Sequence, residues 1–358
     1  MRRGDETNFP NIAPIPGPYE RPQIAGPQTG PPELFRIASF GENRGKGNIV
    51  GIQPSFETWM FRTEVDFTTA LYQTLHTARN QGFLRENSLV VFPELTALQL
   101  LLVEEFPWVT LSRTWSDALR TSLLDEKVWR LVPALLESKK EGWERALYKQ
   151  VVKDKLERSA EVWVQSFSSA AQEFGVSIFA GTMPLPRNTG VDGGLVLPAG
   201  WKSAFDLVMT GILVRPDGTL DPTLARKQKP SGFEAKMLWA SESDVAAAQY
   251  QTVLGSVKVL LGTDSRQPEA YKLAQGADLI LVPSSEWAGE SRAAWREEGL
   301  NSWIHQTTAS AGVTLFNASH LYERRHIGQP MIWKEGQSWF LAEEKAGQSE
   351  NFVFALWL

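Results

Sequence analysis

Apolar and polar positions along the chain follow two rhythms, one of period two and one of helical spacing. Asn48-Ile49-Val50-Gly51-Ile52-Gln53 reads as a short buried strand, and Leu89-Val90-Val91-Phe92, stopped by Pro93, as a second. Between them Val65, Ala70, Leu71, Leu75 and Ala78 recur at helical spacing and predict a helix over 63–81. Val162, Phe167, Ala170, Ala171 and Phe174 predict an amphipathic helix over 160–174, ended by Gly175. Further strands are expected over 176–180, 207–214, 257–261 and 279–282, with a turn at Pro216-Asp217-Gly218. The weakly alternating run 352–358 reads either as a last strand or as a tail crossing to another subunit. Strands mixed with helices along the chain indicate an α/β layered domain, and no internal repeat is visible.

Two segments depart from this rhythm. Residues 104–160 are helical in composition, with acidic and basic residues interspersed as on a solvated helix surface, and carry no strand signal. Trp115, Leu119 and Leu123 fall four apart on one helical face; Trp108, Trp129 and Trp143 lie in the same stretch. These tryptophans either anchor an inserted helical hairpin to the body, or form a lid or docking surface. Residues 1–46 precede the first strand of the body. Their prolines (Pro10, Pro14, Pro16, Pro18, Pro22 and Pro27 among them) favour extended, solvated chain, so this part reads as an N-terminal arm, flexible or packed on a partner subunit. The domain proper then covers 47–358, with 104–160 inserted.

Composition narrows the chemistry. The 358 residues carry a net charge of −5, which argues against a nucleic-acid partner. No apolar stretch is long enough for a membrane helix. Met1-Arg2-Arg3 has a basic start but no apolar core after it, so the chain is cytoplasmic by default, and secreted or periplasmic if a leader has been removed. There are 0 cysteines, which removes disulfides, thiolate metal sites and any Cys nucleophile. A metal site built on His320, Glu323 and His326 lacks the i, i+4 histidine spacing of zinc helices, so no metal and no cofactor is expected.

Three runs carry candidate chemistry. Val90-Val91-Phe92-Pro93-Glu94 places a carboxylate just past a strand end, where ligands of layered α/β folds gather. Ala225-Arg226-Lys227-Gln228-Lys229 is followed by Glu234, and Leu260-Leu261-Gly262-Thr263-Asp264 by Pro268-Glu269, then by Gly276-Ala277-Asp278 and Val282-Pro283-Ser284. Together the runs resemble the nitrilase, or carbon–nitrogen hydrolase, superfamily. Gln53, the stretch Phe174–Thr182 and Asn317 match smaller family features, and the resemblance spans roughly residues 47–356.

The resemblance implies a four-layer α-β-β-α sandwich of two mixed sheets, with the helical insertion, and a homodimer at least. It also implies hydrolysis or acyl transfer at a small amide or nitrile through a cysteine thioester. On this alignment Glu94 stands at the position of the general base and acid, Lys227 at that of the oxyanion stabiliser, and Glu234 at that of a second glutamate that orients the site.

At the nucleophile the chain departs from the family. Asp264, Pro268 and Glu269 hold the register, Gln267 stands where an aromatic residue is usual, and Gly262 occupies the cysteine position. Glycine offers no nucleophile, yet accepts the strained backbone of an elbow. Thr263, Asp264, Ser284 and Ser285 are the pocket candidates by position, although the Thr263 side chain, at a strand end, should face away, and Ser265 should lie in the turn. Three readings stay open. One is a carbon–nitrogen hydrolase-like protein, a pseudoenzyme inactive as an amidase or nitrilase and kept for binding or assembly. Another is an active amide hydrolase using a hydroxyl or activated water with Glu94 and Lys227. The third is an inert version of an active amidase.

Overall fold

The computed structural model describes residues 35–103, 109, 111–124, 132–133, 138–139, 142–237, 248–285, 295, 297–325, 328–341 and 351–358. Its strands are β1 (Arg36–Phe40), β2 (Asn48–Gln53), β3 (Ser88–Phe92), β4 (Ser177–Pro186), β5 (Gly190–Val191), β6 (Leu195–Val196), β7 (Leu207–Val214), β8 (Leu220–Arg226), β9 (Ala248–Thr252), β10 (Gly255–Val259), β11 (Leu279–Ser284), β12 (Ala311–Phe316), β13 (His320–Leu321), β14 (Arg324–Arg325), β15 (Met331–Lys334), β16 (Gln337–Phe340) and β17 (Phe352–Trp357). The helices are α1 (Glu64–Asn80), α2 (Trp115–Leu124), α3 (Trp143–Phe174), α4 (Trp201–Ala204), α5 (Gly232–Met237), α6 (Pro268–Lys272) and α7 (Leu300–Trp303).

The strands form two mixed sheets. One runs β1-β17-β2-β3-β4-β7-β8 and the other β16-β15-β12-β11-β10-β9. Period-two side chains divide each strand between two cores. Ile49, Leu89, Val91, Phe179 and Phe354 of the first sheet pack with Val257, Val259, Leu279, Leu281 and Val313 of the second. The alternate residues Val50, Ile52, Val90, Phe92, Ile178 and Ala180 face outward onto α1 and α3, through Phe67, Leu71, Leu75, Trp163 and Phe167. On the far side Ile280, Val282 and Phe316 pack under Tyr271, Trp295 and Leu300. The result is the expected α-β-β-α sandwich.

Several elements differ in extent from the reading of the pattern. Arg36–Phe40, placed in the arm, is an edge strand pairing parallel to β17; its half-exposed residues give no buried alternation to read. The run 352–358 is a strand inside the sheet, held between β1 and β2. Helix α1 caps with Thr63, whose side chain accepts from Asp66 N, but Val65 is 72% exposed and Phe67 takes its place in the core. The helix expected from 160 begins at Trp143 and runs unbroken to Phe174, so position 160 is not a boundary. No glycine or proline interrupts it, and left-handed Gly175 closes it. Trp115 is fully buried, Trp143 is largely exposed, and Trp108 and Trp129 lie outside the described residues. Among the described residues no helix is long and apolar enough to cross a membrane.

Strand β4 also outruns its expected end, because its pairing with β7 shifts register between Phe179 and Thr182. Gly181 sits in this bulge at φ +71°, where a Cβ would run into the Pro93 carbonyl and, at 2.8 Å, into Thr96 Oγ1. Thr182 Oγ1 accepts from Leu95 N at 3.0 Å, so the bulge seats the turn that carries Glu94. Gly181→Ala is expected to lower unfolding free energy by about 3 kcal/mol, from left-handed strain plus overpacking. Urea denaturation of the two proteins measures it.

Candidate functional site

Three chain segments from both sheets meet at one buried cluster. Glu94 follows β3 in a tight turn: Leu95 has φ +61°, and Thr96 Oγ1 donates to the Pro93 carbonyl at 2.8 Å. Asn317, just past β12, donates from Nδ2 to the Glu94 carbonyl at 2.8 Å, and its Oδ1 accepts from Ser319 N. Gln53 Oε1 accepts from Phe316 N at 3.3 Å, tying the end of β2 to the end of β12. Lys227 extends β8, its N–H donating to the Met209 carbonyl at 2.9 Å. Gly262 opens a short 3-10 turn, Gly262–Arg266, three residues beyond the end of β10.

Lys227 Nζ lies 3.1 Å from Glu94 Oε1 and 2.9 Å from Glu234 Oε2. It donates to Glu94 Oε2 at 3.2 Å and to Glu234 Oε1 at 3.0 Å, leaving Glu94 Oε1 close to the charge but without a hydrogen bond. Glu94, Lys227 and Glu234 are all at most 3% exposed. Glu234 is fixed by a reciprocal cap at the start of α5: its Oε2 accepts from Ser231 N at 2.6 Å and its N–H donates to Ser231 Oγ at 3.4 Å. The sequence motif Ser231-Gly232-Phe233-Glu234 carries that signal, which the family alignment passed over. Asp264 joins the elbow to the lysine loop, its carboxylate accepting from Gln228 N and Lys229 N, both at 2.8 Å.

Charge is distributed unevenly in this cluster. Burial pushes the Glu94 carboxyl from its ordinary 4.5 up to about 8, Lys227 opposes the rise, and the Glu234 carboxylate adds to it. Burial works against the Lys227 ammonium, but Glu234 and Glu94 outweigh it and hold the lysine above its usual range. Burial likewise raises Asp264 to about 6, against the two backbone donors and Lys227. Burial and the neighbouring Glu234 therefore favour the protonated form of Glu94, and Lys227 favours the ionised one.

The elbow is tightly filled. Gly262 has φ +46°, and a Cβ there would stand 2.7 Å from Lys227 Nζ and collide with Glu94 Oε2. Glu94 and Lys227 thus converge over Gly262. Thr263, set in the 3-10 turn rather than at a strand end, donates its hydroxyl to the Lys229 carbonyl. Ser265 is fully buried and donates to the Gly262 carbonyl at 2.8 Å. Ser284, the last residue of β11, and Ser285 just past it are buried, and Ser284 Oγ has no hydrogen-bond partner. Glu323 accepts from Trp115 N at 2.6 Å, His326 lies outside the described residues, and no acidic or histidine cluster fit for a metal occurs among the described residues. A groove of about 350 Å³ along α3, lined by Ala160, Val164, Leu195 and Leu197, includes none of the candidate residues.

The chain matches no protein-family model and no curated protein. Its fold does match solved structures. An amidase of the nitrilase superfamily from Nesterenkonia AN1, in a cysteine-to-serine variant, superposes with TM-score 0.54 at 12% identity, covering 87% of this chain and 92% of that one. The same amidase after removal of its His-tag gives 0.54 at 13% identity, over 87% and 92%. A form showing Michael addition of acrylamide at the active-site cysteine gives 0.54 at 12%, over 87% and 93%. The chain has the fold of a nitrilase-superfamily amidase. In that fold Gly262, Glu94 and Lys227 stand together at the meeting point of the two sheets, with Glu234 behind the lysine.

The sign of the pH dependence follows from Glu94 and Asp264. Both carboxyl groups are raised in the fold, so the folded state holds its protons more tightly than the unfolded chain. Their contribution is complete below about pH 4 and is lost as pH rises, through about 6 for Asp264 and about 8 for Glu94. Glu94→Gln is expected to flatten the fall in stability between pH 6 and 8 and to reduce the fall between about pH 4.5 and 6 to the Asp264 contribution. Urea midpoints of both proteins across this range check it; an unchanged slope above pH 6 would count against the raised Glu94 carboxyl.

Proposed function

We propose that this chain is a carbon–nitrogen hydrolase-like protein that does not turn over amides or nitriles through an acyl-enzyme, and that its Glu94–Lys227–Glu234 site serves binding or assembly. The observation that carries this reading is Gly262. An acyl-enzyme needs an atom on this residue to hold the acyl group, and the place where one would begin is taken by Glu94 and Lys227. The nearby hydroxyls offer little replacement. Those of Thr263 and Ser265 already donate to backbone carbonyls, so neither proton is directed at Glu94. The ligand that suits such a site is a small amide-like molecule, and self-association as at least a dimer is expected, read by light scattering.

A second reading rests on the Glu94 carboxyl at about 8, a value near that of an effective general base at mildly alkaline pH. Water activated there could attack an amide whose oxyanion meets Lys227. It requires a rate that rises with pH through about 8 and vanishes in Glu94→Gln.

The two are separated by ammonia release from a panel of short amides, ω-amides and nitriles, with intact-mass measurement. The non-catalytic reading expects release no greater than from the Glu94→Gln control and no added acyl mass. Release well above the control would overturn it, and an adduct mapped to Ser284, Thr263 or Ser265 would name the substitute nucleophile. Gly262→Cys is expected to lose about 1–3 kcal/mol of stability, because its Cβ must displace the Lys227–Glu94 pair from a left-handed backbone. Its chemical denaturation curve measures this.

A further inference from the structure

The side chains of the charged cluster are sealed from solvent, so a ligand reaches them only if something moves. The contacts around the cluster close into a ring that includes the helical insertion. Trp115, the first residue of α2, packs its ring 6.4 Å from Tyr148 of α3 and 5.9 Å from Tyr322. Tyr148 is buried on α3, which packs against α5, the helix that carries Glu234. Glu234 holds Lys227, Lys227 holds Glu94, and the Glu94 carbonyl is held by Asn317, whose own carbonyl oxygen accepts from Ser319 N. Ser319 leads directly into the β13–β14 hairpin, whose two-residue tip is Tyr322-Glu323. Glu323 Oε2 accepts from Trp115 N at 2.6 Å, at the positive end of α2, and Tyr322 OH donates to the Val109 carbonyl at 3.1 Å.

Two features of this ring mark it as a fastening rather than ordinary packing. Tyr322 has φ +56°, a left-handed conformation that hairpin tips usually assign to Asn or Gly, and that persists in a tyrosine only where its contacts hold it. The Trp115 indole N–H is buried with no acceptor, so the seated position leaves a donor unsatisfied. The closed state is therefore held by the hairpin tip against two local costs. We infer that helix Trp115–Leu124 is a hinged cover over the Tyr148–Glu234 side of the charged cluster, latched by Tyr322 and Glu323. The inference rests on the binding role proposed above and adds how that site is reached. Release of the tip removes the Glu323 acceptor at the helix N-terminus and the Tyr322 side of the Trp115 ring together, leaving the helix on its packing against Tyr148 and the core.

Hydrogen exchange on the full-length protein tests this without regard to turnover, so its failure is distinct from a positive amidase assay. In the native protein, segments 115–124 and 228–237 are expected to share one opening equilibrium, reached at lower denaturant than 88–92 and 177–186. The Tyr322→Phe/Glu323→Gln variant should raise exchange in both segments together by about tenfold, the effect of weakening a charge-assisted hydrogen bond. Exchange that rises in 115–124 alone, or an opening of 228–237 in the native protein that is independent of 115–124, would overturn the cover. Should the variant exchange throughout, the native denaturant series decides by the same comparison.

Discussion

A buried ammonium between two carboxylates is the constraint on which the rest of this structure depends. Lys227 is 3% exposed, and a cation so placed is tolerated only with partners in good geometry. Each partner is in turn fixed by a separate part of the fold. Glu234 is set by the cap at the start of α5, and Glu94 by a turn seated on the β4 bulge and tied to Asn317. Asp264 clasps the backbone on either side of the lysine loop's bend through Gln228 and Lys229. Removing one partner would leave a buried charge uncompensated, at a cost of about 3–5 kcal/mol. The two sheets are thus joined at their strand ends by electrostatics as well as by the apolar core between them.

Glycine at the elbow is what allows the cluster to close. With any side chain at 262, Glu94 and Lys227 would have to separate, since the Cβ position falls inside their contact distance. The missing side chain at 262 and the close Lys227–Glu94 contact are therefore one feature.

The sequence discloses this arrangement unevenly, for physical reasons. Strands β2 and β3 are buried on both faces and read as apolar runs, so Glu94 is legible just past β3, whereas Lys227 follows the mixed, partly exposed β8 and is legible only through its Arg-Lys motif. Strand β1 is an exposed edge and carries little alternation. The first half of α3 is rich in charge, so its helical stripe, through Ala146, Leu147, Val151 and Val152, is diluted and the start at Trp143 is missed. The bulge at Gly181 breaks the period of β4. The upward shift of the Glu94 carboxyl is not legible at all, since it depends on burial and on a carboxylate 140 positions away in sequence, brought near by Lys227.

The charges of the cluster are balanced at Glu94. Burial and the Glu234 charge favour its protonated form, while Lys227 favours the ionised one. A protonated carboxyl has an O–H donor and a C=O acceptor side by side, and Glu94 Oε1 has no hydrogen bond of its own. Lys227 and Glu234 meanwhile hold each other at 2.9 Å, and Glu234 is fixed in turn by the Ser231 cap. Of the two carboxyl groups beside the lysine, Glu94 is thus the one with an oxygen still open to a hydrogen bond.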